Sequence, residues 1–306
     1  MNKEIIEKIN ELKRKRNAVI LAHNYQPAEV QDIADYLGDS LGLSIQAAKT
    51  SADVIVFCGV HFMAETAAIL CPDKKVLMPD HNAGCPMADM IEPEGLEKLK
   101  AQNPRSQVVC YVNSSAEIKA MSDICCTSAN SVKVCQSIKD TDEIIFVPDK
   151  YLGLYTSTQV KDKKFILWQG YCPTHAKILP EHIKKAKKEH PKAVAMVHPE
   201  CRPETIAEAD EVLSTGGMET FARKSRHTEF IVGTEVGMLH RLRKENPDKK
   251  FYPALETATC PNMKKTSLEK ILWSLQDIET IVRVPEDIAN KARISIERML
   301  EIGRQD

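Results

Sequence analysis

The 306-residue chain carries 42 Lys and Arg against 43 Asp and Glu, a formal net charge of −1 and a pI near 6.8. That balance excludes bulk electrostatic attraction to nucleic acid or to an anionic membrane. No apolar run approaches the ~18 residues of a membrane helix, and Met1 to Arg16 lacks the apolar core and cleavage pattern of a signal peptide, so the chain is expected in the cytosol.

The first predicted element is a helix over 1–16, with Ile5, Ile6, Ile9 and Leu12 on one stripe. A β-type run, Ala18-Val-Ile-Leu-Ala-His23, follows and leads into a helical pattern. Comparison of the chain with itself finds two further copies of this beginning: Gln107-Val-Val-Cys-Tyr111-Val-Asn113, and Ala193-Val-Ala-Met-Val-His198-Pro-Glu200. In each copy a hydroxyl residue opens a second helical pattern. Ser40, Ser128 and Thr215 stand 17 positions after His23, Tyr111 and His198 respectively. A Cys-Pro follows after 45, 44 and 45 positions, at Cys85, Cys172 and Cys260.

Between these landmarks each copy carries a second strand (Val54 to Phe57, Glu143 to Val147, Glu229 to Val232). A third strand opens on a Lys-Lys pair at Lys74, Lys163 or Lys249. Strands alternating with helices at this spacing predict an α/β fold with parallel sheets covered on both faces. Three pseudo-equivalent three-layer αβα units are expected, packed around a pseudo-threefold axis with a central cluster site. The units span 17–102, 103–190 and 191–284. Terminal helices over 1–16 and 285–306 clasp the repeat.

Ligands of open α/β units collect at the carboxyl ends of the strands, where His23, Tyr25, Tyr111, Asn113, His198 and Glu200 all fall. Of the ten cysteines, the three in register are singled out. Their Cys-Pro is either a turn signature kept for folding or a set of thiolates converging on a metal. Three thiolates suit zinc or an iron–sulfur cluster. Sulfur-only ligation with one ligand missing best suits a [4Fe–4S] cluster with one open iron, used as a Lewis acid. Ser40, Ser128 and Thr215 are either helix N-caps or, at three converging helix starts, receivers of phosphate and carboxylates. The histidines, tyrosines and Glu200 supply acid–base capacity. Cys125, Cys126 and Cys135 read as core, and Gly216-Gly217 is too short for a nucleotide loop.

The stretches Ala22-His-Asn-Tyr-Gln26, Gly38-Asp-Ser40, Gly84-Cys-Pro-Met-Ala88, Tyr111-Val-Asn-Ser114, Thr127-Ser-Ala-Asn130, Trp168-Gln-Gly-Tyr-Cys-Pro173, His198-Pro-Glu-Cys201, Ser214-Thr-Gly-Gly217 and Thr259-Cys-Pro-Asn-Met263 together resemble the quinolinate synthase (NadA) family. The resemblance runs in order from about His23 to Met263. It implies three αβα domains around a [4Fe–4S] cluster on Cys85, Cys172 and Cys260. It further implies condensation of iminoaspartate with dihydroxyacetone phosphate to quinolinate, with loss of phosphate and water, in NAD biosynthesis. An aspartate oxidase or dehydrogenase would supply the iminoaspartate.

The family's substrate-binding positions match His23, Ser40, Tyr111, Asn113, Ser128, His198, Glu200 and Thr215, and its active-site tyrosine matches Tyr25. Glu200, beside His198, is then the base, with Tyr25 and His23 moving protons to leaving oxygens. Some members carry further cysteines near the last ligand; this chain has none after Cys260. Two other classes compete: an iron–sulfur electron-transfer or sensing protein, and a zinc enzyme on the same scaffold.

Overall fold

A strand covered on both faces must be apolar throughout, and the runs found by the repeat fold that way. The computed structural model describes residues 2–304. Its first sheet comprises β1 (Ala18–His23), β2 (Tyr36–Gly38), β3 (Val54–Cys58) and β4 (Lys75–Leu77). The second holds β5 (Gln107–Tyr111), β6 (Ile124–Cys126), β7 (Glu143–Val147) and β8 (Lys164–Leu167). The third holds β9 (Val194–Val197), β10 (Glu211–Val212), β11 (Glu229–Gly233) and β12 (Lys250–Pro253). All pairings are parallel, and the strand order is the same in each sheet: β2-β1-β3-β4, β6-β5-β7-β8 and β10-β9-β11-β12. The α/β architecture of three repeated units is therefore present.

The fourth strand of each sheet was not expected from the sequence. β2, β6 and β10 are two or three residues long, too short for alternation or an apolar run to register. An aspartate docks each of them onto its neighbour. Asp35 accepts from the Ile20 amide at 2.7 Å, Asp123 from Val108 at 2.7 Å and Asp210 from Ala195 at 2.8 Å. The amide of each aspartate donates back to the same residue's carbonyl. The Lys-Lys pairs also have a structural reason. The first lysine of each reaches back to carbonyls in or beyond the last turn of the helix before the second strand: Lys74 to Thr50 and Ala52, Lys163 to Thr141, Lys249 to Ala222 and Ser225. A cation there satisfies orphan carbonyls and the negative helix end.

One apolar core runs through all three sheets, from Leu21 and Ile55 through Val108 and Ile145 to Met196 and Phe230. The outer face of the first sheet is closed separately. Ile9 of the helix Asn2–Arg16 and Ile271 and Leu275 of the helix Leu268–Asp277 pack there on Ile20 and Val56. The helix Glu286–Ile302 buries Ala292, Ile296 and Met299. Its Ser295 bonds the Lys119 carbonyl at 2.8 Å, and Arg293 bonds the Ile69 carbonyl at 2.9 Å, so it ties the second repeat to the first.

Lys119 itself is fully buried. Its ammonium donates to the carbonyls of Ser114 at 2.8 Å and Phe62 at 3.2 Å, joining the same two repeats. Burial lowers its pKa. Lys119→Met should destabilise the cluster-free protein by about 2–4 kcal/mol, because two buried carbonyls lose their donor. Urea unfolding would read this, and an unchanged midpoint would remove the lysine from the junction.

Candidate active site

Each repeat delivers its polar residues to the cavity by the same three backbone devices. First, β1, β5 and β9 end at or beside His23, Tyr111 and His198. Second, the short strand that follows leads to a residue whose side chain caps a helix or closes a turn. Asp39 accepts from the Gly42 amide at 2.8 Å, Ser214 from Gly217 at 3.0 Å and Thr127 from Ala129 at 3.2 Å. Ser40 and Thr215 are therefore not N-caps, since Asp39 and Ser214 do that work, and Ser128 is not one either, since the N-cap of Ser131–Ser137 is Asn130 and Thr127 only closes the turn before it. Ser40 and Thr215 are the first residues of their helices, and Ser128 lies in the turn before Ser131–Ser137. With capping done elsewhere, the Thr215 hydroxyl meets Asn24 at 3.1 Å, and Ser128 meets His198 Nε2 at 3.1 Å.

Third, the residue three positions after β3, β7 or β11 pins the cysteine loop. The amides of His61, Lys150 and Val236 donate to the carbonyls of Ala83, Gly170 and Ala258 at 2.8, 2.9 and 3.0 Å. Each carbonyl lies two residues before a cysteine. At Gly170 a side chain is excluded, since a Cβ would stand 2.5 Å from the Pro148 carbonyl. Each cysteine then enters a single 3-10 turn, at Ala88–Met90, His175–Lys177 or Asn262–Lys264. Amides of that turn point back at the sulfur: Ala88 and Met87 at Cys85, His175 at Cys172, Met263 and Asn262 at Cys260.

The result is one cavity lined by His23, Tyr25, Ser40, Cys85, Tyr111, Asn113, Ser128, Cys172, His198, Glu200, Thr215 and Cys260, all the residues expected there. The other seven cysteines are buried, whereas Cys85, Cys172 and Cys260 are half-buried. Glu200 is only 3% exposed. Its Oε1 accepts from the Tyr111 hydroxyl at 2.5 Å, and its Oε2 lies 2.6 Å from His175 Nδ1 and 3.7 Å from His198 Nδ1. The Tyr25 hydroxyl meets Thr234 at 2.6 Å, and His175 Nε2 meets Thr234 at 2.8 Å. Cys172, His175 and Glu200 offer ligand atoms within 4.8 Å of one another. Sulfur, nitrogen and carboxylate donors so close together form a metal-competent centre.

A family model described as "Quinolinate synthetase A protein" matches residues 7–301. The chain belongs to this family. A quinolinate synthase of Dehalococcoides mccartyi is 59% identical over 303 residues, covering 99% of this chain and 100% of that protein. One from Methanosarcina barkeri is 56% identical over 299 residues, covering 98% of each. One from Pelobacter propionicus is 56% identical over 304 residues, covering 99% of this chain and 100% of that protein.

In this member of the quinolinate synthetase A family, the residues that sequence reasoning missed are those that break the repeat. Three positions after each cysteine stand Ala88, His175 and Met263; only His175 is ionisable. Two positions after β3, β7 and β11 stand Val60, Asp149 and Glu235. Glu235 is fully buried, accepts from the Cys260 amide at 3.1 Å and pairs with Lys264 at 2.9 Å. Asp149 accepts from Tyr151 and Leu152 at 2.7 and 3.0 Å. Departure from the repeat at a strand end was the available signal.

Burial lowers His198 from its ordinary 6.5 to about 3 and His23 to about 4, so both stay neutral at physiological pH. Burial alone would raise Glu200, but the adjoining His175 and His198 and the hydrogen bonds from His175 and Tyr111 hold it down at about 2. Burial pushes the Cys85 thiol up to about 12 and raises Cys172 and Cys260, so a metal must displace their protons.

The unfolded chain takes up protons at His23 and His198 as pH falls below about 6.5, where the folded protein does not. The stability these groups contribute is therefore complete above that pH and declines toward pH ~4, with Glu200 adding to the loss below about 4.5. Denaturant midpoints at about pH 7.5 and about pH 5 should differ, and His198→Gln should shrink the difference. Equal midpoints in the wild type would contradict the buried-neutral assignment.

Proposed function

We propose that the chain is a quinolinate synthase, condensing iminoaspartate with dihydroxyacetone phosphate and releasing phosphate and water. The observation that carries this reading is the meeting of one thiol from each repeat with a buried Glu200, bonded by Tyr111 and His175, on a single cavity. The names and full-length coverage of the relatives support it. The iminoaspartate would come from an aspartate oxidase or dehydrogenase.

The donor set fits a [4Fe–4S] cluster. Three half-buried thiols line the cavity, each faced by backbone amides of its own turn, and N–H groups directed at sulfur are what such clusters use for tuning. Cys85, Cys172 and Cys260 would hold it, leaving one iron without a protein ligand. When bound, it supplies a Lewis acid toward a substrate oxygen.

The remaining steps belong to side chains. Glu200 is held ionised and oriented by His175 and Tyr111, and it takes the proton next to the substrate carbonyl. A carboxylate held so low is a weak base until a substrate group replaces one of those two contacts. Tyr25 is raised well above its usual range, chiefly by burial, so it keeps its proton and can give it to a leaving oxygen. Neutral His23, edge-on to the Tyr25 ring with centroids 4.6 Å apart, can relay a proton by taking one up at one ring nitrogen as it gives one from the other. Ser40, Ser128 and Thr215, with the free amides beside them, receive phosphate and carboxylates. Burial keeps water from the hydrolysable imine.

Anaerobically purified wild type should carry about four iron and four acid-labile sulfide per chain, and Cys172→Ala should lose them. Zinc, or no metal, in the wild type would defeat the cluster assignment. Glu200→Gln should keep the chromophore while turnover falls by about a hundredfold or more. Near-normal turnover would take the base role from Glu200.

A further inference from the structure

The substrates proposed above are polyanions, yet among the described residues no Lys or Arg lines the cavity, while Asp39, Glu200 and Glu235 do. A cavity lined by these carboxylates repels phosphate and dicarboxylate unless a cation stands close by. The C-terminal arm supplies one. The helix Glu286–Ile302 stops at Gly303, whose φ of 69° suits glycine and turns the chain sharply.

Beyond that turn the arm touches one helix start from each repeat. The Ile302 carbonyl accepts from Lys133 at 2.7 Å and the Gly303 carbonyl from Asn130 at 3.1 Å, both at the start of Ser131–Ser137. Arg304 Nη1 lies 2.9 Å from Asp39 Oδ2 and 3.1 Å from Oδ1, at the cap of Ser40–Lys49. At Thr215–Lys224, a Cβ placed on Gly216 would stand 2.1 Å from Arg304 Nη2. The first glycine of the Gly216-Gly217 pair thus makes room for the arginine.

We propose that the C-terminal arm completes the substrate site, with Arg304 as the counter-charge for the anionic group received by the helix starts at Ser40 and Thr215. Arg304 neutralises Asp39, which lines the cavity, and stands beside Gly216, next to Thr215 of the cavity wall. The inference rests on the quinolinate synthase reading.

The test compares the holoenzyme with Arg304→Gln, Arg304→Lys and Gly216→Ala. Quinolinate and inorganic phosphate are titrated calorimetrically, and KM is measured for dihydroxyacetone phosphate. Gly216→Ala would crowd Arg304 Nη2 and, at 2.8 Å, Asp39 Oδ2, so it moves the Arg304–Asp39 pair without removing either charge. Arg304→Gln and Gly216→Ala should weaken anion binding by about tenfold or more and raise KM more than they lower kcat. Iron content and thermal midpoint should stay as in the wild type, and Arg304→Lys should recover part of the binding. A loss confined to phosphate makes phosphate the group held by Arg304; a loss confined to quinolinate makes it a carboxylate. Wild-type binding and KM in both Arg304→Gln and Gly216→Ala would overturn the proposal, as would a fall in thermal midpoint with KM unmoved. Failure of the wild type itself to form quinolinate would instead count against the functional reading.

Discussion

A carboxylate buried at the centre of the molecule sets the terms for everything around it. Glu200 is shut away from water, and an ionised carboxyl there is tolerated only with donors on both oxygens. The donors are Tyr111 and His175, on the second repeat, while Glu200 itself stands beyond β9 of the third. The second and third repeats are therefore held together by the contact that keeps Glu200 charged. Tyr25 of the first repeat joins through Thr234, which also meets His175. Loosening any of these partners would loosen the meeting of three sheets, so packing and acid–base chemistry share one set of atoms.

The repeat and its exceptions do different work. What recurs is backbone: the strand order, the aspartate that docks the edge strand, the lysine on the preceding turn and the amide that pins each cysteine loop. Repetition places three thiols at equivalent points of their units, and all three line one cavity. What does not recur is ionisable. Asp149 and Glu235 replace Val60, and His175 replaces Ala88. A symmetric lining would offer the same group three times, whereas proton removal and proton donation need groups of different basicity. The asymmetric positions provide that difference inside a symmetric frame.

The cysteines show the same division by environment. Cys125, Cys126 and Cys135 are core residues with their thiols pushed up by burial, as their lack of register implied. Cys85, Cys172 and Cys260 share the raised thiols but stand at the cavity wall with amides aimed at sulfur. Nothing about cysteine as a residue type separates the two groups, and position in the repeat does.

Much was legible in the sequence because it is written as spacing. Three copies of a strand, a hydroxyl and a Cys-Pro in register determined the α/β class, the three sheets and the residues that gather at their carboxyl ends. Spacing along a chain survives folding, because each copy closes the same local hydrogen bonds. The edge strands escaped notice because two or three residues carry no period. The capping roles went to Asp39 and Ser214 rather than to Ser40 and Thr215, and Asn130 rather than Ser128 stands at the third helix start, since only backbone geometry decides which side chain faces the free amides. His175 and Arg304 lie farther still from what a sequence can say. His175 meets Glu200, 25 positions away, and Arg304 meets Asp39, 265 positions away. Contacts at such separations exist only once the sheets have packed, so tertiary structure alone determined which charges meet.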